Sequence, residues 1–355
     1  ALTALVEIHP ALRTAVRLDS SESSAEPIQI VLPPPRRVGF GVRSVVDLEQ
    51  HSLASIIDGL MQNPPCLETG EVCRVVGLIV DGRARGVLFL FHHAVVDEPS
   101  LRILESDLLD LLGGNPVPPE RETQLNWAAT QSMNQSNEKS IAWWTKTLAR
   151  TPEDLNLTSS GKTDRSRRIT LRLEASVKNE FERRSREAGI SRAAGVAHAF
   201  AQALQGVGIA PQGPFAIGVP ASLRDSHMLD RTVGMLLNTM PVVFDPGHGL
   251  LESGNSMRKA WRHRRLCYQE ILEVTQPNRS SGRAPWLDAM IGIIETGDDF
   301  SGSSLGQELF SGGSPSPIFL TVVFSPDSIE LMLDLNQGLV SEELGDQLAS
   351  VIEGR

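Results

Sequence analysis

The chain has 355 residues, enough for two domains of ordinary size or for one domain with two lobes. Hydrophobic residues make up 41% and charged residues 21%, the composition of a well-packed globular protein. A net charge of −10 and a single Tyr argue against a surface that binds nucleic acid. The three cysteines, Cys66, Cys73 and Cys267, show neither disulfide nor metal-binding spacing. We therefore expect reduced thiols in a cytoplasmic protein, with no metal site and no membrane helix.

Apolar spacing and turn-forming residues predict mixed helices and strands in the first half of the chain. In chain order these are a helix over residues 1–7 that Pro10 ends, a polar loop over 19–27, a strand from Ile28 to Leu32, a β-hairpin of Val72–Val80 and Val87–Phe91, a helix from Pro99 to Leu112 and a long helix over 125–150. The hairpin strands flank a charged turn that contains glycine. Residues 151–168 are polar and mark the expected boundary between the two halves.

The second half continues the mixture of strands and helices. In chain order the predicted elements are a strand over Ile169–Leu173, a helix ending at Gly189, a helix from the N-cap Ser191 to Gly206, strands over Phe215–Val219, Val233–Val243, Leu287–Ile294, Phe319–Phe324 and Ile329–Leu335, and a helix from Ser341. Because both halves mix the two kinds of element, we predict an α/β or α+β protein with two lobes.

The sharpest candidate site is the segment His92-His93-Ala-Val-Val-Asp97, which follows the second hairpin strand. If the strand continues through it, the two histidines point to opposite faces and only one reaches a substrate. An imidazole suits proton transfer near neutral pH. Asp97 stands just before the leucine-rich helix and is predicted to be its N-cap. On these residues alone, a purely structural role for the two histidines remains the commoner interpretation.

No other sequence motif points as clearly to chemistry. The chain has no nucleophile elbow, no Walker loop, no zinc-binding H-E-x-x-H and no dinucleotide fingerprint. Five further histidines are isolated and are predicted to be surface or packing residues: His51, His198, His227, His248 and His263.

Residues 92–97 resemble the H-H-x-x-x-D-G signature of condensation domains of nonribosomal peptide synthetases, in the chloramphenicol acetyltransferase-like superfamily. Companion segments occur in the family's order along essentially the whole chain. They are His9–Thr14, similar to R-H-x-x-L-R-T with Ile8 in place of Arg, Pro65–Arg74, Phe215–Pro220 with Arg224, Val233–Pro241, Pro285–Asp288 and Asp334–Asn336. The most specific of them is Val233–Pro241, which closely resembles V-G-x-F-V-N-T-L-P.

Two departures from the family pattern stand out. The strand-bearing segment that normally precedes the R-H-x-x-L-R-T region is expected to be missing from this numbering. Glu98 stands where the signature has glycine. Its side chain either narrows the substrate passage and weakens activity, or simply occupies the first turn of the next helix, where the helix dipole favours a carboxylate. The D-F-G-W-G motif of plant acyltransferases is absent from the sequence, which favours the peptide synthetase branch.

The resemblance implies two chloramphenicol acetyltransferase-like lobes arranged as a V-shaped pseudo-dimer with a tunnel between them. Residues 1–155 would form the N-terminal lobe with the histidine motif, and residues 156–355 the C-terminal lobe. No bound cofactor is implied. The substrates would arrive on the phosphopantetheine arms of carrier proteins, and an adjoining adenylation domain is a further candidate partner.

The resemblance also implies roles for individual residues. His93 would accept the proton of the nucleophile or orient the amine, whereas His92 would be structural. Asp97 would hold the motif loop through an ion pair with Arg13 or Arg224. The residues predicted to line or gate the tunnel are Glu98, Ser100, Gly234 and Asn238.

Three functions remain open at this point. The first is amide formation between carrier-bound substrates. The second is an ester-forming or free-standing acyltransferase of the same superfamily, with a hydroxyl acceptor and with coenzyme A as a candidate acyl carrier. Such an enzyme would depend more strongly on His93 as a base. The third is a non-catalytic relative that recruits a partner protein. Fold alone does not distinguish them.

Overall fold

The computed structural model describes residues 1–18, 27–133, 138–157, 163–279, 281–295 and 309–354. Most of the polar loop predicted over residues 19–27 lies outside these ranges, as does part of the boundary predicted over 151–168.

The described residues form helices and strands that alternate irregularly along the chain. The helices are α1 (Leu2–Ile8), α2 (Gln50–Met61), α3 (Glu98–Leu112), α4 (Gln124–Met133), α5 (Glu138–Leu148), α6 (Ala175–Glu187), α7 (Arg192–Gly206), α8 (Leu250–Arg262), α9 (Tyr268–Thr275) and α10 (Glu342–Glu353). The strands are β1 (Thr14–Leu18), β2 (Pro27–Val31), β3 (Gly41–Ser44), β4 (Cys73–Val80), β5 (Arg83–Phe91), β6 (Ser166–Leu173), β7 (Phe215–Ser222), β8 (Leu237–Phe244), β9 (Ala289–Glu295), β10 (Ile318–Phe324) and β11 (Ile329–Asn336). The predicted α/β character is therefore confirmed.

In the part of the chain that is described, the strands form three sheets. Strands β1 and β2 form an antiparallel pair. A second sheet has the order β3-β4-β5, parallel between β3 and β4 and antiparallel between β4 and β5. The third sheet has six strands in the order β6-β11-β10-β9-β7-β8 and is mixed, with β9 parallel to both β10 and β7. No described helix is both long and apolar enough to span a membrane.

The chain divides into two compact units. The first contains residues 1–135, 224–237 and 305–311, and the second contains 136–223, 238–304 and 312–355. The segment 224–237 thus belongs to the first unit although its neighbours on both sides belong to the second. The assignment of residues 1–155 and 156–355 to two family lobes stays a prediction, as do the V shape and the tunnel.

The predicted hairpin of the first unit is confirmed and is tighter than expected. Strand β5 begins at Arg83, so the turn consists of Asp81 and Gly82. Both turn residues have positive φ, 51° and 70°, the geometry that two-residue hairpin turns require. This hairpin delivers the chain to the histidine motif at the end of β5.

The core of the first unit lies where the N-terminal segment meets α3. Its apolar side chains come from α1, the turn after α1, the residue before β4, the motif loop, α3 and the segment 224–237. Its buried members are Leu5, Val6, Ala11, Leu12, Val72, Val95, Val96, Leu104 and Val233. A smaller cluster joins α2 to β4 through Leu53, Ile57, Val76 and Leu78. The motif loop is therefore anchored firmly, because Val95 and Val96 are core residues.

The second unit has the larger core. The six-stranded sheet contributes strands with almost no exposed residues, such as β7, in which six of eight positions are buried. Helix α7 packs small residues and Phe200 into the same core, and α5 adds the fully buried Trp144. Burial of this amount of apolar surface is the main source of stability for the unit.

The long helix predicted over residues 125–150 corresponds to α4 and α5, and residues 134–137 between them lie outside the described ranges. One predicted element differs from the structure. The strand predicted from Val233 begins only at Leu237. The backbone N–H groups of the four residues before it donate hydrogen bonds to side chains, and this explains the late start of the strand.

Candidate active site

The histidine motif lies in a tight turn, not in a strand. Strand β5 ends at Phe91, and the backbone N–H of His92 donates to the carbonyl of Val72 at 2.9 Å. Residues His93–Val95 then form a short 3₁₀ turn with His92 as its N-cap. The prediction that strand alternation separates the two histidines is therefore wrong, because the chain leaves the sheet before either of them.

Hydrogen bonds separate the two histidines instead. The Nδ1 atom of His92 accepts the backbone N–H of Ala94 at 3.2 Å, so that nitrogen carries no proton. The Nδ1 atom of His93 lies 2.7 Å from the carbonyl oxygen of Val96. A carbonyl oxygen only accepts, so this Nδ1 carries the proton and the neutral ring keeps a lone pair on Nε2. The two neighbouring rings thus have opposite tautomers.

Exposure and charge reinforce this difference. His93 is exposed, whereas His92 is half-buried. Burial lowers the pKa of His92, and the neighbouring His93 lowers it further. His92 therefore stays neutral at neutral pH and caps the turn, while His93 presents a basic nitrogen to solvent.

Asp97 is the most heavily used acceptor of the motif. As predicted, it is the N-cap of α3, and its side chain accepts the backbone N–H of Ser100 at 3.0 Å. It also accepts the Ser100 hydroxyl at 2.6 Å and the backbone N–H of Leu236 at 3.2 Å. Since Asp97 is only 1% exposed, these donors replace the water that its charge would otherwise require.

Of the two candidate ion-pair partners of Asp97, Arg224 is the one observed. Its guanidinium Nη2 lies 2.7 Å and 3.0 Å from the two carboxylate oxygens, and Nη1 donates to the carbonyls of Leu229 and Thr232. Arg13 instead donates to the carbonyls of Val6 and Leu32. Arg13 therefore fixes the N-terminal segment, and Arg224 fixes the motif loop.

Ser100 and Gly234 join the same network. Ser100 is fully buried, and its hydroxyl accepts the N–H of Gly234 at 2.9 Å and lies 3.0 Å from the Gly234 carbonyl. A Cβ on Gly234 would come within 2.9 Å of side-chain atoms of Gln124 and Leu236, so a larger residue there would have to displace them. The predicted place of both residues on a tunnel wall stays a prediction; the structure shows them as packed interior.

Glu98 is the first residue of α3 and points along its own helix. Its side chain is 41% exposed and forms an ion pair with Arg102 one turn later. A carboxylate at this position is favoured by the helix dipole, and a pair spaced by four residues adds a few tenths of a kcal/mol. This geometry fits the interpretation of Glu98 as a helix-start residue.

Asn238 performs a different task in the second unit. Its amide nitrogen donates to the carbonyls of Arg264 and Leu266 at 2.6 Å and 2.7 Å, and its oxygen accepts the N–H of Tyr268 at 3.1 Å. The side chain is 6% exposed. Asn238 thus fixes the loop between α8 and α9, and its tunnel-lining role stays a prediction.

The three cysteines predicted to be reduced thiols lie among the described residues. Cys66, Cys73 and Cys267 are free cysteines. Burial raises the pKa of the Cys73 thiol to about 12 and that of Cys267 to about 11, so both remain protonated at neutral pH. Among the described residues, no cluster of three or more His, Cys, Asp or Glu side chains could hold a metal ion.

Several residues of the site were not predicted from the sequence. The Val96 carbonyl, which sets the tautomer of His93, is a backbone group without a side-chain signal. The cluster His9, Asp107, Glu120 and Arg231 was also missed as a unit, because its hydrogen-bonded pairs are 98 to 124 residues apart in the chain. For His9, the companion segment around residues 9–14 was the available signal.

Known proteins resemble this chain over most of its length. A plipastatin synthase from Bacillus subtilis (strain 168) is 27% identical over 314 residues, covering 84% of this chain and 12% of that protein. Tyrocidine synthase 3 of Brevibacillus parabrevis is 26% identical over 315 residues, covering 84% of this chain and 5% of that protein. The chain therefore spans a small fraction of the length of these relatives.

Solved structures share the fold. A holo four-domain nonribosomal peptide synthetase, AB3403, bound to AMP and glycine, superposes with a TM-score of 0.83 at 15% identity, covering 99% of this chain and 29% of that one. The X-domain from teicoplanin biosynthesis gives 0.81 at 17% identity, covering 99% and 85%. The family model described as "Condensation domain" matches residues 1–314. On this match, which covers most of the chain and includes the motif loop, the protein belongs to the condensation domain family.

Proposed function

We propose that this domain forms an amide bond between an acyl or peptidyl thioester on one carrier protein and an amine on another. The observation that carries the proposal is the lone pair on Nε2 of the exposed His93, held in that tautomer by the Val96 carbonyl. Membership of the condensation domain family and the likeness to a nonribosomal peptide synthetase support peptide-type substrates.

In the proposed reaction the amine nitrogen attacks the thioester carbonyl, a C–N bond forms and the C–S bond breaks. The proton released from the attacking nitrogen passes to Nε2 of His93, and the departing pantetheine sulfur takes up a proton to leave as a thiol. An α-amine has a pKa near ~8, so part of it is already neutral at pH 7. His93 therefore orients the amine as well as accepting its proton.

The remaining motif residues hold His93 in place. His92 caps the turn, and Asp97 joins that turn to α3 and to Arg224. Because Arg224 also binds two carbonyls of its own segment, a change at Asp97 is transmitted to residues 224–232. These side chains are positioning residues in the proposed reaction.

A second candidate is a condensation-like domain that recruits a partner protein without catalysis. The observation in its favour is Glu98 at the position where the family signature has glycine. Against it stands the orientation of Glu98, whose carboxylate is engaged by Arg102. The first candidate is therefore preferred.

The test is a transfer assay with loaded carrier proteins, followed by intact-protein mass spectrometry of the acceptor carrier. Donor carriers bearing a set of aminoacyl groups are incubated with acceptors that present either an α-amine or an α-hydroxyl of otherwise identical structure. The proposal predicts that the acyl group appears on the amine acceptor. Product on the hydroxyl acceptor alone would indicate an ester-forming enzyme, and transfer from an acyl-coenzyme A donor in a parallel arm would identify a free-standing acyltransferase.

The control is the same assay with His93→Ala, which must fold normally to be informative. If the unmodified domain binds loaded carriers but gives no product with any acceptor, the catalytic proposal is wrong and the recruiting function takes its place.

A further inference from the structure

A second charged cluster of the first unit lies apart from the histidine motif. It consists of His9, Asp107, Glu120 and Arg231. His9 and Asp107 are each 1% exposed, and the side chain of Glu120 is 2% exposed. Charged groups at this depth are retained only when partners compensate them.

Both nitrogens of the His9 ring contact carboxylates. Nδ1 lies 2.6 Å from Oε1 of Glu120, and Nε2 lies 2.9 Å from Oδ2 of Asp107. A neutral imidazole has one donor nitrogen, so it could satisfy only one of two ionised carboxylates. The geometry therefore fits an imidazolium that donates at both ends. Arg231 adds the second positive charge, with Nη2 2.6 Å from the other oxygen of Asp107.

With His9 protonated, the cluster is neutral in total, because two carboxylates face one guanidinium and one imidazolium. The groups come from four places in the unit: the residue before the first 3₁₀ turn, α3, the loop before α4, and the segment 224–237. The cluster thus ties the returning segment to the N-terminal part of the chain.

The segment 233–236 shows what this tie accomplishes. Four consecutive backbone N–H groups donate to side chains, and strand β8 begins only at residue 237. The bonds run from Val233 to Glu120, from Gly234 to Ser100, from Met235 to Gln124 and from Leu236 to Asp97. The first acceptor, Oε1 of Glu120, is the atom that also contacts His9. The last acceptor, Asp97, caps the helix after the histidine motif.

We propose that His9 is a positioning residue: as an imidazolium held between Asp107 and Glu120, it fixes the segment 231–236 and thereby the Asp97 side of the His93 loop. The path is short. His9 orients Glu120, Glu120 holds the Val233 N–H, and the next three residues reach Ser100, Gln124 and Asp97. The kinetic part of this inference rests on the proposed function, and the structural part does not.

The main variant is His9→Gln, which keeps a donor but removes the positive charge and can serve only one carboxylate well. The predicted result is faster hydrogen exchange of the backbone amides of residues 233–236, measured by mass spectrometry or NMR, with the second unit unchanged. In the transfer assay kcat should fall roughly tenfold to a hundredfold with KM nearly constant, since a misplaced catalytic group loses rate more than binding. His198→Gln is the matched control, because His198 is a half-buried histidine of the second unit that contacts the neutral Ser253 hydroxyl at 2.8 Å.

A rescue variant separates this role from simple packing. In His9→Gln with Glu120→Gln, the lost positive charge is balanced by the loss of one negative charge, and the two amides can still pair. The double variant should recover most of the amide protection that His9→Gln loses. If the double variant loses as much amide protection as His9→Gln and Glu120→Gln lose together, charge compensation by His9 is not what holds the segment.

The unmodified protein gives a test that does not depend on any variant folding. Nitrogen-15 NMR of the histidine rings should show both ring nitrogens of His9 protonated at neutral pH. A His9 ring with one unprotonated nitrogen overturns the inference, as does unchanged exchange at residues 233–236 in a folded His9→Gln variant. Should the domain prove inactive in the transfer assay, the exchange and NMR results still decide the structural claim.

Discussion

Two histidines of the first unit, His9 and His93, illustrate how the acceptor beside a ring decides what the ring can do. In both, Nδ1 lies at hydrogen-bond distance from an oxygen, 2.6 Å for His9 and 2.7 Å for His93. The oxygen beside His9 belongs to a buried carboxylate, and a second carboxylate faces Nε2. The oxygen beside His93 is a neutral carbonyl, and the ring is exposed.

These different acceptors give the two rings different roles: His9 carries a charge that supports structure, and His93 is a group that can transfer a proton. Two carboxylates hold the protons on His9 and leave it no lone pair, so it can support structure but cannot act as a base. A carbonyl fixes the tautomer of His93 without adding a negative charge, so its other nitrogen can take up and release a proton. We therefore expect substitution of the exposed base to lower the transfer rate and substitution of the buried charges to lower stability. The largest effect is expected at His93.

His93→Ala should lower the rate of acyl transfer by roughly 10²–10⁴-fold, the usual contribution of a general base. The melting temperature should hardly change, because the side chain is exposed and its hydrogen bond is to a neighbouring carbonyl. Rates come from single-turnover transfer and stability from thermal unfolding, with His92→Ala as the neighbouring control. An unfolded His93→Ala protein, or a greater loss of rate in His92→Ala, would reverse the two roles.

Asp97→Ala should lower the free energy of unfolding by about 3–5 kcal/mol, because it leaves the guanidinium of Arg224 without its carboxylate in a buried site. Ser341→Ala is the matched control. Ser341 is also an N-cap, accepting the N–H of Leu344, but it is exposed and carries no charge. Ser341→Ala should lower the free energy of unfolding by about 1 kcal/mol. Equal effects of the two variants in urea unfolding would mean that Asp97 is only a cap.

The buried Asp288 should make the stability of the second unit depend on pH. Burial raises its pKa from 3.8 to about 6, although the Leu155 N–H and Arg283 act in the opposite direction. Between these values the folded state binds more protons than the unfolded state, so this residue's contribution to stability falls as pH rises and is constant above about 6.

The measurement compares Asp288→Asn with the unmodified domain by urea unfolding at several pH values. The stability of the unmodified domain minus that of the variant should fall by about 1–3 kcal/mol from pH ~4 to ~6. Asp327→Asn, at an exposed aspartate of the same unit, is the control. A difference that stays flat or rises across this window contradicts the assignment.

Glu98→Gly should have the smallest effect. The carboxylate at the start of α3 and its pair with Arg102 together contribute about 0.5–1 kcal/mol, and the transfer rate should stay within about twofold. Glu98→Gln separates the loss of charge from the added backbone freedom of glycine. A clear gain in transfer rate in Glu98→Gly would show that Glu98 obstructs the substrate instead. A loss of stability alone would not show this.

Local signals in the sequence were sufficient for the elements that local chemistry determines. The hairpin of β4 and β5 follows from two apolar runs around Asp81-Gly82, and the start of α3 follows from Asp97 before a leucine stripe. Both depend on residues within a few positions of one another. The motif also identified His93 as the candidate base before any geometry was available.

Features set by distant partners could not be predicted in this way. The apolar segment from Val233 has the composition of a strand, yet its first four amides bind acceptors more than 100 residues away. The role of Arg224 was open because Arg13 has the same charge and a matching motif. The apolar pattern predicted the end of β5 at Phe91, but the tautomers of the two histidines depend on backbone partners in the turn that follows, which this pattern does not show.

Nitrogen-15 NMR of the two motif histidines in the folded domain, above the pH at which their rings are charged, tests the role of His93 most directly. We predict opposite neutral tautomers, with the proton on Nδ1 of His93 and on Nε2 of His92. Assignment through His92→Gln and His93→Gln variants identifies each signal. If His93 instead carries its proton on Nε2, it has no basic nitrogen facing solvent, and the proposed proton transfer is contradicted.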